Sequence, residues 1–246
     1  MQGEKMAHGI DPASTERSVR ALQQTDLVSG ELEASLRAVT DATAAVFAAD
    51  GGGIMLLDEQ SSLHYVGATD GRAAALEAAQ EETGEGPCVD SLVFGEVVFT
   101  NDLAAEDRWP LLRSQVGRIG IRAILGVPLR LDRSPVGSLN VYRVGPWEWQ
   151  PNDVSAIAAH GQIIEELLAS AMQLQRQHTI VTQLTTALEN RVLIERAVGI
   201  VIATCQMDAV RAFNELRAQA RSRRVRVAEV AAEVIEARTF AREERA

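Results

Sequence analysis

Five arginines lie within ten residues near the C-terminus, and their side chains are suited to binding phosphate groups. They are Arg217, Arg221, Arg223, Arg224 and Arg226. Arg217, Arg221 and Arg224 follow one another at spacings of four and three residues, which places them on one face of a helix. The planar guanidinium group hydrogen-bonds phosphate oxygens well, and phosphate contacts supply much of the affinity of nucleic-acid sites. This pattern predicts a nucleic-acid-binding surface.

The distribution of charge along the chain supports that prediction. The net charge is −10, but residues 1–175 carry 12 basic and 25 acidic side chains, whereas residues 176–246 carry 12 basic and 9 acidic ones. Only the C-terminal part is basic enough to attract a polyanion. Every basic residue except Lys5 is an arginine, which codon bias would also explain. On charge alone, the alternative is a solvated face whose arginines pair with carboxylates at Glu215, Glu229 and Glu233.

Several kinds of chemistry have no sequence signal. The four histidines and two cysteines show no metal-ligand spacing, and the chain has no phosphate loop, dinucleotide fingerprint or nucleophile elbow. We therefore expect no enzyme activity, no metal and no cofactor. Cys88 and Cys205 are far apart and fit reduced thiols. No apolar stretch reaches membrane-spanning length and no secretory signal is present, so we expect a cytoplasmic protein.

Hydrophobic periodicity predicts an α+β fold in the first two thirds of the chain. Residues 31–48, 71–82 and 109–119 have helical spacing, whereas residues 54–57, 63–68, 96–101, 123–131 and 136–144 have the character of strands. Neighbouring strands joined by short turns must pair antiparallel, and the helices would cover the resulting sheet. Residues 1–24 are expected to be a flexible N-terminal segment, disordered to about residue 13, in which Ser14 or Thr15 could cap a helix that runs toward Gln24.

A long helix is predicted to begin near Asn152 and to continue without proline. Its apolar seam has the alternating spacing of a coiled coil and consists of Ile164, Leu167, Ala171, Leu174, His178, Val181, Thr185, Leu188 and Val192. This pattern predicts a parallel homodimer, with residues 173–187 as a coiled-coil linker. The alternative is an amphipathic helix that lies on its own domain.

The last third resolves into three helices. The first continues to Cys205, the second runs from 209 to about 221 after the N-cap Asp208, and the third covers about 227–240. The third helix is expected to bury Val230, Ala231, Val234 and Ile235. Three short helices bury little area, so we expect this bundle to need the long helix or a second chain for stability.

The N-terminal part resembles a GAF domain, in particular the subset found in actinobacterial regulators. The resemblance covers about residues 25–172 and rests on Gly86-Pro87-Cys88, Asn101-Asp102-Leu103, Asp107-Arg108-Trp109-Pro110, Gly126-Val127-Pro128-Leu129 and the run from Val136 to Tyr142. It implies a sensory domain with an antiparallel sheet covered by helices and a small-molecule pocket of unknown specificity. Candidate pocket residues are Cys88, Asn101, Asp102, Trp109 and Arg122. The alternatives are that Trp109 only packs on the sheet, that Asp102 only caps a helix, and that side chains fill the pocket.

The C-terminal part resembles an ANTAR domain over about residues 180–240, with the domain itself placed at 188–240. The resemblance rests on the run from Leu188 to Val201, on Ala212-Phe213-Asn214-Glu215-Leu216-Arg217 and on Glu229-Val230-Ala231. It implies an RNA-binding antiterminator that stabilises paired hairpins. Residues assigned to RNA on this basis are Arg191, Gly199, Arg217, Arg221, Arg224 and Arg226. The chain departs from the family pattern at Val198, where lysine is usual, and at Arg224, where asparagine is usual.

Together these features predict a ligand-responsive transcription antiterminator. Its partners would be hairpins in nascent RNA, a second copy of the chain and an unidentified small molecule in the GAF domain, with no membrane involved. The alternative is a dimeric GAF sensor that acts through protein partners, with an RNA site that Val198 has made degenerate.

Overall fold

The sheet of the first domain is antiparallel and five-stranded. The computed structural model describes residues 10–24, 31–58, 63–173 and 179–240. The strands are β1 (Gly51–Leu57), β2 (Leu63–Ala68), β3 (Val98–Thr100), β4 (Ala123–Leu131) and β5 (Ser134–Arg143). Their order across the sheet is β2-β1-β5-β4-β3, and every neighbouring pair is antiparallel. The predicted α+β class is confirmed, because the sheet is antiparallel and helices pack on it.

Helices cover both faces of this sheet. In the first domain they are α1 (Pro12–Gln24), α2 (Leu32–Phe47), α3 (Gly71–Thr83), α4 (Pro87–Phe94), α5 (Pro110–Val116) and α6 (Pro151–Gln173). Gly161 of α6 lies beside Val127 and Leu129, whereas Pro87 of α4 lies beside Gly126. Because successive strand residues point to opposite faces, α6 and α4 cover opposite sides of β4.

The first residues of the described chain form α1, which begins at Pro12, two residues before the helix expected from Ser14 or Thr15 toward Gln24. Leu22 of α1 is buried, Ile10 N donates to Asp153 Oδ1 at 3.0 Å, and Ser18 Oγ lies 3.0 Å from His160 Nε2. These contacts hold α1 against α6, which gives the segment an apolar surface to fold on. Residues 1–9 lie outside the described part of the chain.

The long helix expected from Asn152 is two helices in the described chain. Helix α6 ends at Gln173 and α7 (Thr179–Cys205) follows, with Leu174 and His178 of the expected seam outside the described residues. Leu188 of α7 and Met172 of α6 line the same pocket, although a continuous helix would separate them by about 24 Å. Helix α7 therefore folds back onto its own GAF domain, which corrects the prediction of one uninterrupted coiled-coil helix.

The buried stripe of α7 also differs from the predicted seam by one residue. Ile180, Leu184 and Ala187 are buried and join the core of the first domain, whereas Thr185 and Val192 are exposed. One residue rotates a helix by about 100°, so the predicted seam lies at the margin of this stripe, where Val181 and Leu188 are half-buried against the same core. The physical reason is that the apolar surface of the GAF domain lies within reach, which favours intrachain packing.

The C-terminal bundle consists of the second half of α7 together with α8 (Ala209–Arg223) and α9 (Val227–Ala237). Asp208 caps α8 as predicted, since its side chain accepts a hydrogen bond from Arg211 N. The bundle has its own core, formed by Ile194, Ala197, Val201, Ala212, Leu216, Ala220, Val227, Val230, Ala231, Val234 and Phe240. Ile235, predicted to be buried, is half-buried instead.

Candidate functional site

Four of the predicted RNA-binding arginines surround one pocket where α8 turns into α9. Arg217 and Arg221 lie on α8, Arg224 ends that helix, and Arg226 precedes the first residue of α9. The pocket has a volume of about 400 Å³ and is also lined by Ala220, Val225, Val227 and Glu229. The turn depends on Arg224, whose φ of 55° is left-handed and reverses the chain within three residues.

Arg217 has the most unusual environment of these arginines. Its side chain is only 2% exposed, and neither Nε nor Nη1 has a hydrogen-bond partner among the described residues. Burial, followed by the nearby positive charge of Arg221, lowers the pKa of Arg217 to about 10. Asp58 and Glu81 of the first domain act in the opposite direction. At neutral pH the guanidinium is still protonated, and it lies 5.8 Å from the ring centroid of Phe213. A buried cation that forms no ion pair with a described carboxylate therefore borders the pocket.

The remaining arginines of the cluster are more exposed, and some are paired. Arg226 Nε lies 2.7 Å from Glu229 Oε1, and Arg223 pairs with Glu233 through contacts of 2.6 and 2.7 Å. Arg221 and Arg224 are exposed and form no ion pair with a described carboxylate. The arrangement leaves Arg217, Arg221 and Arg224 as the donors available to an incoming anion.

Arg191 and Gly199 lie away from this pocket on α7. Arg191 donates to the carbonyl oxygen of Pro135 in the GAF domain and pairs with Glu195 at 2.7 Å. Gly199 is exposed, and a Cβ at its position would meet no atom within 4 Å. The structure therefore unites four of the six predicted RNA-binding residues and separates the other two.

The two domains contact one another through α7 and α8. Asn214 Nδ2 of α8 donates to the carbonyl oxygen of Gly84, the residue that ends α3, at 2.7 Å. Beside this contact lies a crevice of about 140 Å³, which GAF residues and bundle residues line together. These are Leu57, Leu92 and Val93 on one side, and Ala187, Arg191, Ile194, Glu195, Val198, Ala209 and Phe213 on the other.

The interior of the GAF domain contains a buried polar cluster between α3, α4 and the sheet. Glu77, Gln80, Cys88 and Asn140 are all fully buried. Asn140 Nδ2 donates to Glu77 Oε1 at 2.6 Å and lies 3.1 Å from Cys88 Sγ. Gln80 Nε2 donates to Glu77 Oε2 at 3.1 Å, and Gln80 Oε1 accepts from Cys88 N at 3.0 Å. These side chains therefore form a hydrogen-bonded network with one another.

Burial shifts the acid–base behaviour of this cluster. Desolvation raises the pKa of Glu77 to about 7, against the opposing effect of its hydrogen bonds. Desolvation and the neighbouring Glu77 raise the pKa of the Cys88 thiol well above its usual value. Gly53 faces the same cluster, because a Cβ there would lie 2.4 Å from Glu77 Oε1. Among the described atoms, Asn140 Oδ1 and the hydroxyl groups of Ser91 and Ser138 have no hydrogen-bond partner.

Of the five residues predicted to line a ligand pocket, Asp102 and Arg122 contact each other, whereas Cys88 and Trp109 have other partners. Only Cys88 belongs to the buried cluster. Asp102 pairs with Arg122 through two contacts of 2.6 Å, Trp109 Nε1 donates to Asp90 Oδ2 at 3.0 Å, and Asn101 Oδ1 accepts from Trp149 N at 3.2 Å. Asp102 also caps a short 3₁₀ helix by accepting from Ala104 N. Each of these polar groups therefore already has a protein partner.

Sequence reasoning missed Glu77, Gln80 and Asn140. Two signals were present: Asn140 is a polar residue in an otherwise apolar strand, and Glu77 stands among alanines on α3. Within the described residues, no group of histidine, cysteine and acidic side chains is placed to hold a metal ion. None of the described helices is both long enough and apolar enough to cross a bilayer.

Solved structures with the same fold cover mainly the first domain. They include the GAF domain of a phosphoenolpyruvate-protein phosphotransferase from Coxiella burnetii (TM-score 0.55, 14% identity, covering 67% of this chain and 98% of that one). The free methionine-R-sulfoxide reductase from Neisseria meningitidis is also similar (TM-score 0.53, 16% identity, covering 71% and 99%). At these identities the likeness concerns the fold. A comparison with curated proteins finds no match.

Two domain families match the sequence itself. The GAF domain family matches residues 31–168, which is more than half of the chain, and the ANTAR domain family matches residues 182–235. The first match covers the sheet with its helices, and the second covers most of the three-helix bundle that carries the arginine pocket. The chain therefore belongs to the GAF domain family and has the GAF-ANTAR architecture of a signal-sensing domain followed by an RNA-binding antitermination domain.

Proposed function

We propose that this protein is a signal-responsive transcription antiterminator that binds paired RNA hairpins through its ANTAR domain. The observation that carries the proposal is the convergence of Arg217, Arg221, Arg224 and Arg226 around one pocket of that domain. Guanidinium groups suit phosphate oxygens, and the C-terminal part is the basic part of an otherwise acidic chain. This charge pattern favours attraction of RNA to one end of the molecule.

Recognition of RNA would depend on phosphates and shape more than on base stacking. The two aromatic residues of the bundle are Phe213, which lines the crevice beside the GAF domain, and Phe240, which is buried. Proteins that read single-stranded bases need exposed aromatic side chains for stacking. The described bundle offers arginines instead, which fits hairpins recognised through their backbone and geometry.

The GAF domain would supply the signal through the contact between domains. Helix α3 ends at Gly84, whose carbonyl binds Asn214, and α3 also carries Glu77 and Gln80 of the buried cluster. A small molecule that enters between α3 and α4 would have to displace the hydrogen bonds of this cluster. Such a rearrangement would move the end of α3 and so change the contact with α8.

No enzymatic step is part of this proposal. A catalytic cysteine needs an accessible thiolate, whereas Cys88 is buried and its pKa is raised. The second cysteine, Cys205, lies at the end of α7 in the bundle. We infer a regulatory protein that works in the cytoplasm as a homodimer, with the GAF ligand unidentified.

A second candidate function is a GAF sensor that acts through protein partners. The observation that favours it is Val198, which stands where the ANTAR pattern has lysine and lines the apolar crevice facing the GAF domain. A valine suits that crevice and brings no charge to RNA. On this view the arginines would be a solvated surface, as the ion pairs of Arg223 and Arg226 illustrate.

Binding to an RNA with two short stem-loops separates the two candidates. The antiterminator is expected to bind this RNA at least tenfold more tightly than a scrambled RNA of equal length and composition. The Arg221→Ala/Arg224→Ala double variant should weaken binding, whereas Arg211→Ala serves as the control, because Arg211 lies on α8 outside the pocket. Equal affinity of the wild type for both RNAs would favour the protein-partner function.

A further inference from the structure

The pocket between α8 and α9 combines three features that point to a particular ligand chemistry. One is the buried guanidinium of Arg217, with two nitrogens that have no partner among the described residues. Another is the ring of exposed arginines at positions 221, 224 and 226. The third is the N-terminus of α9, which the pocket includes through Arg226 and Val227.

We propose that this pocket is a binding site for a single phosphate group, held by the buried Arg217 that lines it and by the first turn of α9. The first amide groups of a helix have no partner within the helix, and the helix dipole favours an anion there. Arg226 occupies the N-cap of α9 and forms no side-chain capping hydrogen bond. Glu229 N donates to the carbonyl oxygen of Arg226 at 3.0 Å, so the amides of Val227 and Ala228 are the donors that the first turn offers to an anion.

Burial explains why the ligand should carry a strong negative charge. A cation that is 2% exposed is costly when two of its nitrogens lack hydrogen-bond partners among the described residues, because contact with the ring of Phe213 does not replace the hydrogen bonds to water that it has lost. The charges of Asp58 and Glu81 act favourably on Arg217 across the domain contact. A phosphate group would supply both the charge and the acceptors that Nε and Nη1 lack.

The shape of the site favours phosphate over a carboxylate. A carboxylate presents two oxygens in one plane, whereas a phosphate presents oxygens in several directions. The donors here approach from α8, from the turn at Arg224 and from the start of α9, which is three different directions. Glu229 also lines the pocket but is paired with Arg226, so its charge is already balanced.

The source of the phosphate is either the RNA backbone or a free phosphate-bearing molecule. The first source deepens the proposed function and rests on it, whereas binding of a free phosphate does not require RNA binding. Inorganic pyrophosphate is a suitable probe, because it carries the shared chemistry without bases or sugars. Titration calorimetry of the full chain, with chloride at matched ionic strength as reference, measures the site directly.

The wild type is expected to bind pyrophosphate saturably at one site per chain. Arg217→Gln should weaken this binding at least tenfold, and Arg211→Gln should change it less than twofold. Since Arg217 is buried and its substitution could disturb the bundle, Arg221→Gln/Arg224→Gln provides a second test with exposed residues. Absence of saturable binding, or equal effects of the Arg211 variant and the double variant, would overturn the proposal.

Competition between pyrophosphate and RNA identifies whether the phosphate group belongs to the RNA backbone or to a free molecule. If pyrophosphate displaces the two-stem-loop RNA competitively, the pocket takes a backbone phosphate. If both bind together, the pocket takes a free phosphate-bearing molecule. Should pyrophosphate bind while no RNA does, the phosphate site stands and the antiterminator proposal fails. If RNA binds normally to a chain that shows no pyrophosphate site, the inference is overturned and the proposed function survives.

Discussion

Asn214 of the ANTAR domain donates a hydrogen bond to the carbonyl oxygen of Gly84, the residue that ends α3 of the GAF domain. Gly84 has a φ of 67°, and a Cβ at its position would lie 2.7 Å from Asn214 Oδ1. The end of a GAF helix therefore fits closely against the arginine-bearing helix α8. This contact joins the helix that carries Glu77 and Gln80 of the buried cluster to the helix that carries Arg217 and Arg221.

A charged side chain in place of Val198 should weaken the contact between the domains, because Val198 lines the crevice beside it. Val198→Lys would place an ammonium group against Leu57 and Leu92, where desolvation disfavours it. We expect the domains to separate, so that amide exchange accelerates in α4 and α8 while the bundle stays folded. Ala203→Lys is the control, because Ala203 is exposed on the same helix. Unchanged exchange in the Val198 variant would show that the crevice does not hold the domains together.

Glu77 should make stability depend on pH. Its pKa is about 7 in the folded protein and near 4.5 in the unfolded chain, so the unfolded state loses its proton first as pH rises. Stability is therefore expected to fall between about pH 4.5 and pH 7 and then level off, by about 3 kcal/mol. Glu77→Gln should remove this component, which urea unfolding at several pH values measures. Parallel pH profiles of the two proteins would contradict the raised pKa.

Gly199 tests whether the exposed face of α7 has a function. Glycine inside a helix costs about 1 kcal/mol relative to alanine, and a Cβ at this position would meet no atom within 4 Å. Gly199→Ala should raise the free energy of unfolding by about that amount. If RNA approaches the backbone there, hairpin affinity should fall at the same time. A stabilised variant with unchanged affinity would remove Gly199 from the RNA site.

Val192 is the best-placed residue for testing the homodimer. It belongs to the predicted seam and is 57% exposed, so its side chain is accessible to a second chain. If the exposed face of α7 pairs with a second chain, Val192→Glu should convert the dimer to a monomer in light scattering. Ala203→Glu provides the matched control on α7. A monomeric wild type, or a dimer unaffected by Val192→Glu, would place the interface elsewhere or exclude it.

Local signals in the sequence predicted much of the fold. The pattern of apolar residues and the short connections predicted that β1 pairs with β2 and β4 with β5 in antiparallel fashion. Asp208 predicted the start of α8. Helix α4 was not predicted, because most of Pro87–Phe94 is buried and the segment has no polar face to give it a helical period. The fold-back of α7 depends on contacts between distant segments, which periodicity does not reveal.

Of the candidate sites, the one built from residues close in sequence was predicted, and the one built from distant residues was not. The arginine pocket was predictable because its members are close in sequence and one turn brings α8 and α9 together. The Glu77–Asn140 contact joins residues 63 positions apart, and only strand pairing in the folded sheet places Asn140 beneath α3. Asp102 and Arg122 were expected at a ligand pocket but pair with each other. The sequence alone does not show whether two such charged residues bind a ligand or each other.

Salt-dependent RNA binding tests the central claim most directly. Affinity of the wild type and of Arg221→Ala/Arg224→Ala for the two-stem-loop RNA should be measured at several salt concentrations, with Arg211→Ala as control. If these arginines bind phosphates, the double variant should bind more weakly. Its plot of the logarithm of the binding constant against the logarithm of the salt concentration should be shallower by roughly 1.4 to 1.8, the value for two lost contacts. Wild-type binding that does not distinguish paired hairpins from scrambled RNA, or an unchanged slope in the double variant, would contradict the account.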